Sequence, residues 1–282
     1  MADAAVASSE VGETAAVQPR PWLAVATLAQ REWVRFVRQR NRVFSALGTP
    51  LLFWILFGAG LGPTFQLAGG VAGQMSYREY FFPGTVVLIV LFTAIFTTIS
   101  VIEDRREGFL QSVLVAPLPR WSMVLGKLLG GSAIAFAQGG LFLALSPTLG
   151  LWFSVGTIVQ LVAFVFLVSF ALTAMGFMLA WRMDSTQGFH AVMNLLLMPM
   201  WLLSGAFFPA ASGLMGWIVR LNPLTYGVAG LRRMMYADLP AVAVPAGLPG
   251  LPLCWGVMLA FAAVCFVGCW LVSASRTTGD LQ

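Results

Sequence analysis

The sequence predicts an all-α integral membrane protein with six transmembrane helices, an N-terminal amphipathic interfacial helix and a re-entrant region before the last helix. Hydrophobic residues make up 59% of the chain and charged residues only 10%, whereas soluble domains average about 25% charged residues. Five apolar stretches reach the ~20 residues that a spanning helix needs. A sixth apolar region is broken by proline and glycine, which predicts one span followed by short helices.

The predicted spans lie at residues 44–61, 80–102, 121–145, 151–181, 191–208 and 251–275. Beyond the fifth span the apolar sequence continues, interrupted by Pro209, Gly213 and Pro223. Irregular backbone at membrane depth needs cover from protein or from a water-filled cavity. We therefore predict that residues 205–236 form a re-entrant region.

The placement of basic residues predicts the orientation. Twelve of the sixteen Lys and Arg residues fall on one side of the predicted spans, and four fall on the other, namely Arg78, Arg220, Arg232 and Arg233. Cytosolic segments carry such an excess, so both termini are predicted to be cytosolic. Residues 1–20 lack the basic and apolar regions of a signal peptide and are predicted to be a disordered cytosolic tail. The basic charge is thus a topology signal, and no nucleic-acid partner is expected.

Residues 21–43 are predicted to form an amphipathic helix in the headgroup region, with the lipid bilayer as its partner. Arginines recur at spacings of four, three and four and make one cationic stripe, while two tryptophans lie on the opposite face. Arginines on lipid phosphates and tryptophans at the acyl boundary are typical of such helices; an ordinary helix with a solvated charged face is the alternative. The residues concerned are Trp22, Arg31, Trp33, Arg35, Arg38 and Arg42.

No catalytic or metal site is predicted. Gly126-Lys127 is followed by Leu128 rather than Ser or Thr, so the chain has no P-loop, and HExxH, CxxC and G-x-S-x-G motifs are missing. His190, with Asp184 as the nearest carboxylate in sequence, is interpreted as a helix-end or interface residue. The chain itself is not expected to be an enzyme or to bind a cofactor.

The predicted spans also lack ionisable residues at mid-depth, where a proton or ion relay would need them. This weakens the case for a proton-coupled transporter. In the third span, small residues recur on one face and form a packing seam, since small residues let helices approach closely in lipid. Whether the seam packs inside the chain or between subunits stays open. The seam consists of Gly126, Gly130, Ala133, Ala137 and Gly140.

The loop at residues 103–120 is the most informative segment. It contains a charged cluster, a short amphipathic helix over about residues 106–115 and a Pro-x-Pro stop at Pro117 and Pro119. The apolar strip of this helix comprises Phe109, Leu110, Val113 and Leu114. Such a rigid projection suits a membrane subunit that receives a push from a soluble motor.

Two motifs then resemble a known family. The run Glu107-Gly108-Phe109-Leu110, continuing to Ala116-Pro117-Leu118-Pro119-Arg120 and Gly126-Lys127, is similar to the cytosolic loop of ABC-2 type transporter permeases. The segments Leu203-Ser204-Gly205-Ala206-Phe207-Phe208-Pro209 and Leu221-Asn222-Pro223-Leu224-Thr225-Tyr226 are similar to that family's extracellular re-entrant region. The resemblance covers about residues 23–275, is nearest to bacterial drug-resistance and nodulation-export permeases, and assigns residues 21–282 to the ABC-2 type transmembrane domain.

The resemblance implies the membrane subunit of a bacterial ABC exporter in the cytoplasmic (inner) membrane. Two cytosolic ATPase subunits would bind ATP and Mg²⁺, and a second copy of the permease or a paralogue would complete the complex. The implied coupling helix, in contact with the ATPase, comprises Arg106, Glu107, Phe109, Leu110, Val113 and Leu114. The implied outer gate comprises Gly205, Phe208, Pro209, Asn222, Pro223 and Tyr226.

Aromatic and Met-rich spans without buried charge favour a hydrophobic or amphipathic cargo. Two alternatives come from other classes of protein. One is an ATP-independent secondary transporter or channel, and the other is a membrane assembly factor without a transport path. An ATPase partner with a P-loop would distinguish the exporter from both.

Overall fold

The computed structural model describes residues 20–60, 76–207, 214–237 and 248–275. These residues form ten α-helices and no strand. The predicted N-terminal tail lies outside them, apart from Arg20. In chain order the helices are α1 Pro21–Arg38, α2 Arg40–Gly60, α3 Tyr77–Arg106, α4 Phe109–Val115, α5 Arg120–Leu143, α6 Val155–Ala180, α7 Thr186–Trp201, α8 Leu214–Leu221, α9 Pro223–Met235 and α10 Leu251–Ser275.

Five helical segments of the described chain are long and apolar enough to cross a membrane. They are Tyr77–Arg106, Arg120–Leu149, Val155–Ala180, Thr186–Ala206 and Leu251–Ala274. The first predicted span, at residues 44–61, corresponds to α2, whose apolar part is the shorter segment Pro50–Gly60. The multi-pass helical architecture is therefore confirmed, whereas the count of six spans stays a prediction.

Helix α3 lies at the centre of the structure. In its most apolar stretch, 89% of the residues are buried. Five helices pack against it, namely α2, α5, α6, α7 and α9. Its sequence explains this position, because it is apolar on all sides and a helix of that kind is stable only when it is surrounded. Ser76 starts the helix with a capping box formed with Glu79.

Helix α1 is shorter than predicted. It ends at Arg38, and after Gln39 a new helix begins at Arg40. Arg42 therefore belongs to α2, and the side chain of Arg42 is outside the described part. The buried residues of α1 are Val25, Leu28, Glu32 and Phe36.

The small-residue seam of α5 packs inside the chain at its first part. A Cβ added at Gly126 would meet the Val25 carbonyl oxygen at 3.0 Å, and one at Gly130 would meet the Ala29 Cα at 3.0 Å. The two glycines thus let α1 lie directly on α5. A Cβ added at Gly140 would meet nothing within 4 Å, so the later part of the seam is open.

Short helices follow α7, as predicted for residues 205–236. A π-helical turn, Leu202–Ala206, closes α7, and Gly205 adopts a φ of 74°, a left-handed conformation that glycine tolerates best. After residues 208–213, which lie outside the described part, α8 and α9 follow. Asn222 caps α9 by accepting a hydrogen bond from the Leu224 amide at 3.0 Å, and Pro223 occupies the first turn. Asn222 and Pro223 thus start α9 and separate it from α8; membrane re-entry stays a prediction.

Candidate functional site

The 103–120 loop is compact and mostly helical. Helix α3 ends at Arg106, and Gly108, with a φ of 74°, reverses the chain into α4. Helix α4 ends at Val115, where Pro117 and Pro119 prevent its continuation before α5 starts at Arg120. The predicted coupling helix over residues 106–115 is therefore shorter at its start: Arg106 is the last residue of α3, and Glu107 lies in the turn.

Asp104 joins this loop to α1. Its carboxylate accepts two hydrogen bonds from the Arg31 guanidinium, at 3.0 and 2.8 Å, and one from Arg35 at 2.6 Å. Arg35 also reaches Glu103 at 2.8 Å. Bidentate guanidinium–carboxylate pairs fix geometry as well as charge, so the end of α3 and the middle of α1 are held in one arrangement.

Lys127 extends the cluster into α5. Its ammonium donates to Glu32 at 2.9 Å and also to Asp104. The side chains of Lys127, Glu32 and Asp104 are 3%, 5% and 0% exposed. Removing charges from water costs several kcal/mol per ion, which only close partners offset. The cluster is therefore stable as a unit, and loss of one member leaves a buried charge without its partner.

Arg31 connects this ionic cluster to α4. Its guanidinium carbon lies 3.6 Å from the centre of the Phe109 ring, a cation–π contact. The hydrogen bonds from Arg31 to Asp104 raise the pKa of the guanidinium, and burial opposes this effect. Arg31 is thus positively charged at every physiological pH and can hold both the carboxylate and the ring.

Two further contacts fasten the loop to other helix ends. Arg105 donates to the Trp181 carbonyl and to the Asp184 carboxylate at 3.2 Å, while Arg106 donates to the Asp184 carbonyl at 3.1 and 2.7 Å. These bonds tie the end of α3 to the α6–α7 connection. Arg120 donates to the carbonyls of Ser273 at 2.6 Å and Ala274 at 3.0 Å, where a cation also complements the dipole of α10. We call the three sets of contacts, to α1, to the α6–α7 connection and to α10, the loop clasp.

The apolar strip of α4 faces the protein. Leu110 is buried, and Phe109, Val113 and Leu114 are half-buried against the core. The opposite face of α4 is exposed and includes Gln111, Ser112 and Val115, whose exposure is 76%. The structure thus divides the residues predicted to touch an ATPase: Glu107 and Arg106 are on the surface, whereas the apolar strip is engaged inside the chain.

In the predicted interfacial helix, too, residues expected to face an outside partner are engaged within the chain. Arg31 and Arg35 lie on carboxylates rather than pointing outward to lipid phosphates, because the acidic end of α3 is beside them. Arg38 is exposed, as is Trp33. Trp22 is also largely exposed and meets the Trp121 ring edge-on at 5.2 Å. Contact with lipid headgroups stays a prediction for this exposed side of α1.

The predicted gate residues lie at the opposite end of the helices. The Gly205 carbonyl accepts hydrogen bonds from the Tyr80 hydroxyl at 3.1 Å and from Arg232 at 3.2 Å. Asn222 donates to the Met200 carbonyl, and Tyr226 donates to the Arg220 carbonyl. These contacts join the end of α7 and the α8–α9 pair to α3. Phe208 and Pro209 lie outside the described residues.

Arg232, which the sequence indicated only as a basic residue on the far side of the spans, has a packing role in this region. It is 1% exposed, donates to the carbonyls of Tyr80 and Gly205, and its guanidinium lies 4.1 Å from the Tyr80 ring centre. The only signal was its position within an apolar run. A buried guanidinium held by carbonyl oxygens and a ring fixes the packing of α9 on α3.

A groove lies between the middle of α3 and helix α7. It has a volume of about 310 Å³, and its lining is apolar and aromatic apart from His190 and Asn194. The His190 ring meets the Phe96 ring at 5.9 Å in the second turn of α7; its interpretation as a helix-end or interface residue stays a prediction. In the described part of the chain, no group of three or more His, Cys, Asp or Glu residues is arranged to hold a metal ion.

Comparison with known proteins then identifies the architecture. The family model described as ABC-2 type transporter matches residues 24–236, from α1 through α9. The chain belongs to the ABC-2 type transporter family.

Relatives in this family are named as permeases. The chain is 27% identical to the inner membrane transport permease YadH of Escherichia coli over 261 residues, which cover 88% of this chain and 94% of the relative. It is 28% identical to the putative transport permease ycf38 of Cyanophora paradoxa, over 73% of this chain and 71% of the relative. It is 25% identical to the daunorubicin resistance ABC transporter permease protein DrrB1 of Streptomyces coeruleorubidus, over 66% of each.

The family membership establishes a multi-pass membrane protein that serves as a transport subunit of an ABC transporter rather than as an enzyme. In this ABC-2 permease the loop and its charged cluster were predictable from the sequence, whereas the contacts of Asp104 with α1 and the buried pair of Glu32 and Lys127 were not. The available signals were a glutamate on the apolar side of α1 and a lysine between the seam glycines of α5.

Proposed function

We propose that this ABC-2 permease is the membrane subunit of an ABC exporter in the bacterial cytoplasmic (inner) membrane, with a hydrophobic or amphipathic cargo and a separate ATPase as motor. The observation that carries the proposal is the loop clasp. The short helix α4 has an exposed outer face and contacts Arg31 of α1 through Phe109. The helix ends on either side of it, in α3 and α5, are fastened to α1, to the α6–α7 connection and to α10. A displacement of this helix is therefore passed to several helices at once.

The ATPase would occupy the exposed face of α4. That face carries Gln111, Ser112 and Val115, and exposed Glu107 lies in the turn before it, which is enough for a mixed polar and apolar contact. The proposed complex contains two ATPase copies and a second copy of this permease or a paralogue. ATP and Mg²⁺ would be held by the ATPase, in line with the missing P-loop of this chain.

The permease's own residues would convert the push into a helix movement. Leu110 is part of the core and Phe109 packs against it. Arg31 joins α4 to α1 through its contact with the Phe109 ring. Because packed interfaces switch between discrete arrangements rather than deform continuously, we infer that α1, α4 and the adjoining ends of α3 and α5 move as one body. The Gly205–Arg232–Tyr80 contacts at the opposite end would then form the outer gate.

The α3–α7 groove is the proposed cargo surface. Its aromatic lining, which includes Phe92 and Phe96, suits an apolar body, while Asn194 and His190 offer hydrogen bonds to a polar group. Asn194 is exposed on a helix of membrane-spanning length, where an amide in contact with lipid is costly. Cover by a second permease copy, with the groove between the copies, would remove that cost.

The proposed orientation places both termini in the cytosol. Two contacts support it: Trp22 near the start of α1 meets Trp121, and the end of α10 accepts hydrogen bonds from Arg120. Both ends of the described chain thus lie beside the proposed ATPase-facing loop.

The substitution Val115→Asp tests the proposal. Val115 is exposed, so the change removes no internal packing, but it places a charge in the proposed apolar contact. We expect membrane insertion at the wild-type level and at least a ten-fold loss of co-purified ATPase, measured by quantitative mass spectrometry after mild-detergent extraction.

Val115→Ala is the matched control, because it keeps the contact apolar and should retain the ATPase. A Val115→Asp permease that binds as much ATPase as the wild type would contradict the role assigned to this face. Leu110→Ala is unsuitable for this purpose, since truncating a buried leucine removes core packing worth about 2–5 kcal/mol.

A further inference from the structure

A second cavity lies far from the loop clasp, between the end of α5 and the start of α6. Its volume is about 370 Å³, within the range of pockets that hold small ligands. Its walls come from α5, from the connection after α5 and from the first half of α6. The lining includes Phe136, Gly140, Ser146, Trp152, Leu161 and Val165.

The cavity opens toward an exposed apolar surface of α5 and α6. Ile158 and Val162 line it and are exposed, and Leu141 and Val155 beside it are exposed as well. Phe136, which lines the cavity, meets the ring of Phe166 edge-on at 5.9 Å. An apolar slot that opens sideways onto an apolar surface fits a hydrocarbon chain better than a compact polar molecule.

One end of the cavity is polar. Ser146 lines it, is 4% exposed, and its hydroxyl forms no hydrogen bond with any residue in the described part of the chain. The following segment turns through Gly150, with a φ of 73°, and runs without helix to Ser154. Such backbone is not stable in hydrocarbon, so this end lies at the membrane interface. Largely exposed Trp152 agrees with that depth, which tryptophan favours.

We propose that this cavity binds one phospholipid of the leaflet opposite the 103–120 loop. One acyl chain would lie between α5 and α6, and an ester or headgroup oxygen would accept the hydrogen bond from Ser146. No Lys, Arg, Asp or Glu lines the cavity among the described residues, so recognition rests on the acyl chain and on neutral hydrogen bonds. The site is separate from the loop clasp and from the α3–α7 groove.

Gly140 offers a clean test of this site. An added Cβ there meets no atom within 4 Å, so Gly140→Leu should fold and fill the cavity. Gly256 in α10 is equally open and exposed but lies outside the cavity, which makes Gly256→Leu the matched control. Both substitutions replace a helical glycine and raise helix propensity alike.

The experiment uses the full chain in vesicles that contain phosphatidylethanolamine with a diazirine on one acyl chain, with labelled peptides mapped by mass spectrometry. We expect saturable labelling within residues 136–165, at least a five-fold loss in Gly140→Leu, and wild-type labelling in Gly256→Leu. Ser146→Ala should weaken labelling about five-fold, as expected for one lost hydrogen bond.

Equal labelling of this segment in wild type and Gly140→Leu would overturn the proposal, because lipid would then only surround the protein. Crosslinking of two chains from a photoreactive residue at position 162 would identify a second copy as the occupant. In a parallel reconstitution that includes the partner ATPase, loss of the label on addition of ATP would identify cargo. Both results would overturn a resident lipid site. The labelling readout needs no ATPase, so it stands apart from the test of the proposed exporter function.

Discussion

At the scale of single residues, Asp104 carries the most interactions in the proposed coupling region. Its carboxylate receives hydrogen bonds from α1 and α5 while it lies at the end of α3. Three cations around one buried carboxylate are stable only because Glu32 and Glu103 balance two of them. The arrangement is therefore sensitive to any member that changes charge.

The substitution Asp104→Asn should lower the free energy of unfolding by about 3–5 kcal/mol, because it leaves Lys127 and Arg31 without their shared anion in a buried site. Glu107→Gln is the matched control: its side chain is 60% exposed and lies 3.5 Å from Arg35, so its loss should cost no more than about 1 kcal/mol. Chemical unfolding of the detergent-solubilised protein, monitored by tryptophan fluorescence, measures both. Equal stability of the two variants would contradict the central place of Asp104.

At the scale of secondary-structure elements, α3 is held at its other end by a contact that a proline makes available. Pro83 has no amide hydrogen, so the Glu79 carbonyl loses its usual partner within the helix. The Tyr236 hydroxyl, at the end of α9, donates to that carbonyl at 2.6 Å. The proline therefore directs α9 to one position along α3.

Tyr236→Phe should destabilise the protein by about 1–3 kcal/mol, since the partly buried Glu79 carbonyl would lose its partner. The loss should be smaller when Pro83→Ala is also present, because the restored amide can donate to Glu79 within the helix. A double-mutant cycle of thermal unfolding measures this coupling. Additive effects of the two substitutions would show that the hydroxyl and the proline act independently, and would contradict the role assigned to Pro83.

Much of the element structure could be predicted from the sequence because hydropathy and helix signals are local. The spans, the Asn222-Pro223 start of α9 and the helix in the 103–120 loop all follow from neighbouring residues. The break at Gln39 was missed, because no proline or glycine marks it.

The packing partners could not be predicted in the same way. Arg31 and Asp104 are 73 residues apart in the chain, and Glu32 and Lys127 are 95 apart, so no local pattern joins them. Amphipathicity identified the apolar strip of α4 but not the surface that covers it. A core contact and a partner contact have the same sequence signature, and only the fold separates them.

At the scale of the whole molecule, the loop clasp and the contacts around Gly205 lie at opposite ends of the helices that line the α3–α7 groove. Helix α3 takes part in all three, with Asp104 at one end, Phe92 and Phe96 in the groove, and Tyr80 at the other end. Under the proposed function, a push on α4 would reach the proposed gate through α3. Such a path supports transport that is driven from the loop side.

The most direct test of the exporter proposal is affinity purification of the tagged permease from its native membrane in mild detergent, with mass-spectrometric identification and stoichiometry of the bound chains. We predict a P-loop ATPase in a one-to-one ratio with the permease. Recovery of the permease without any ATPase, under conditions that keep a known ABC transporter intact, would contradict the proposed motor and favour a gradient-driven transporter or an assembly factor.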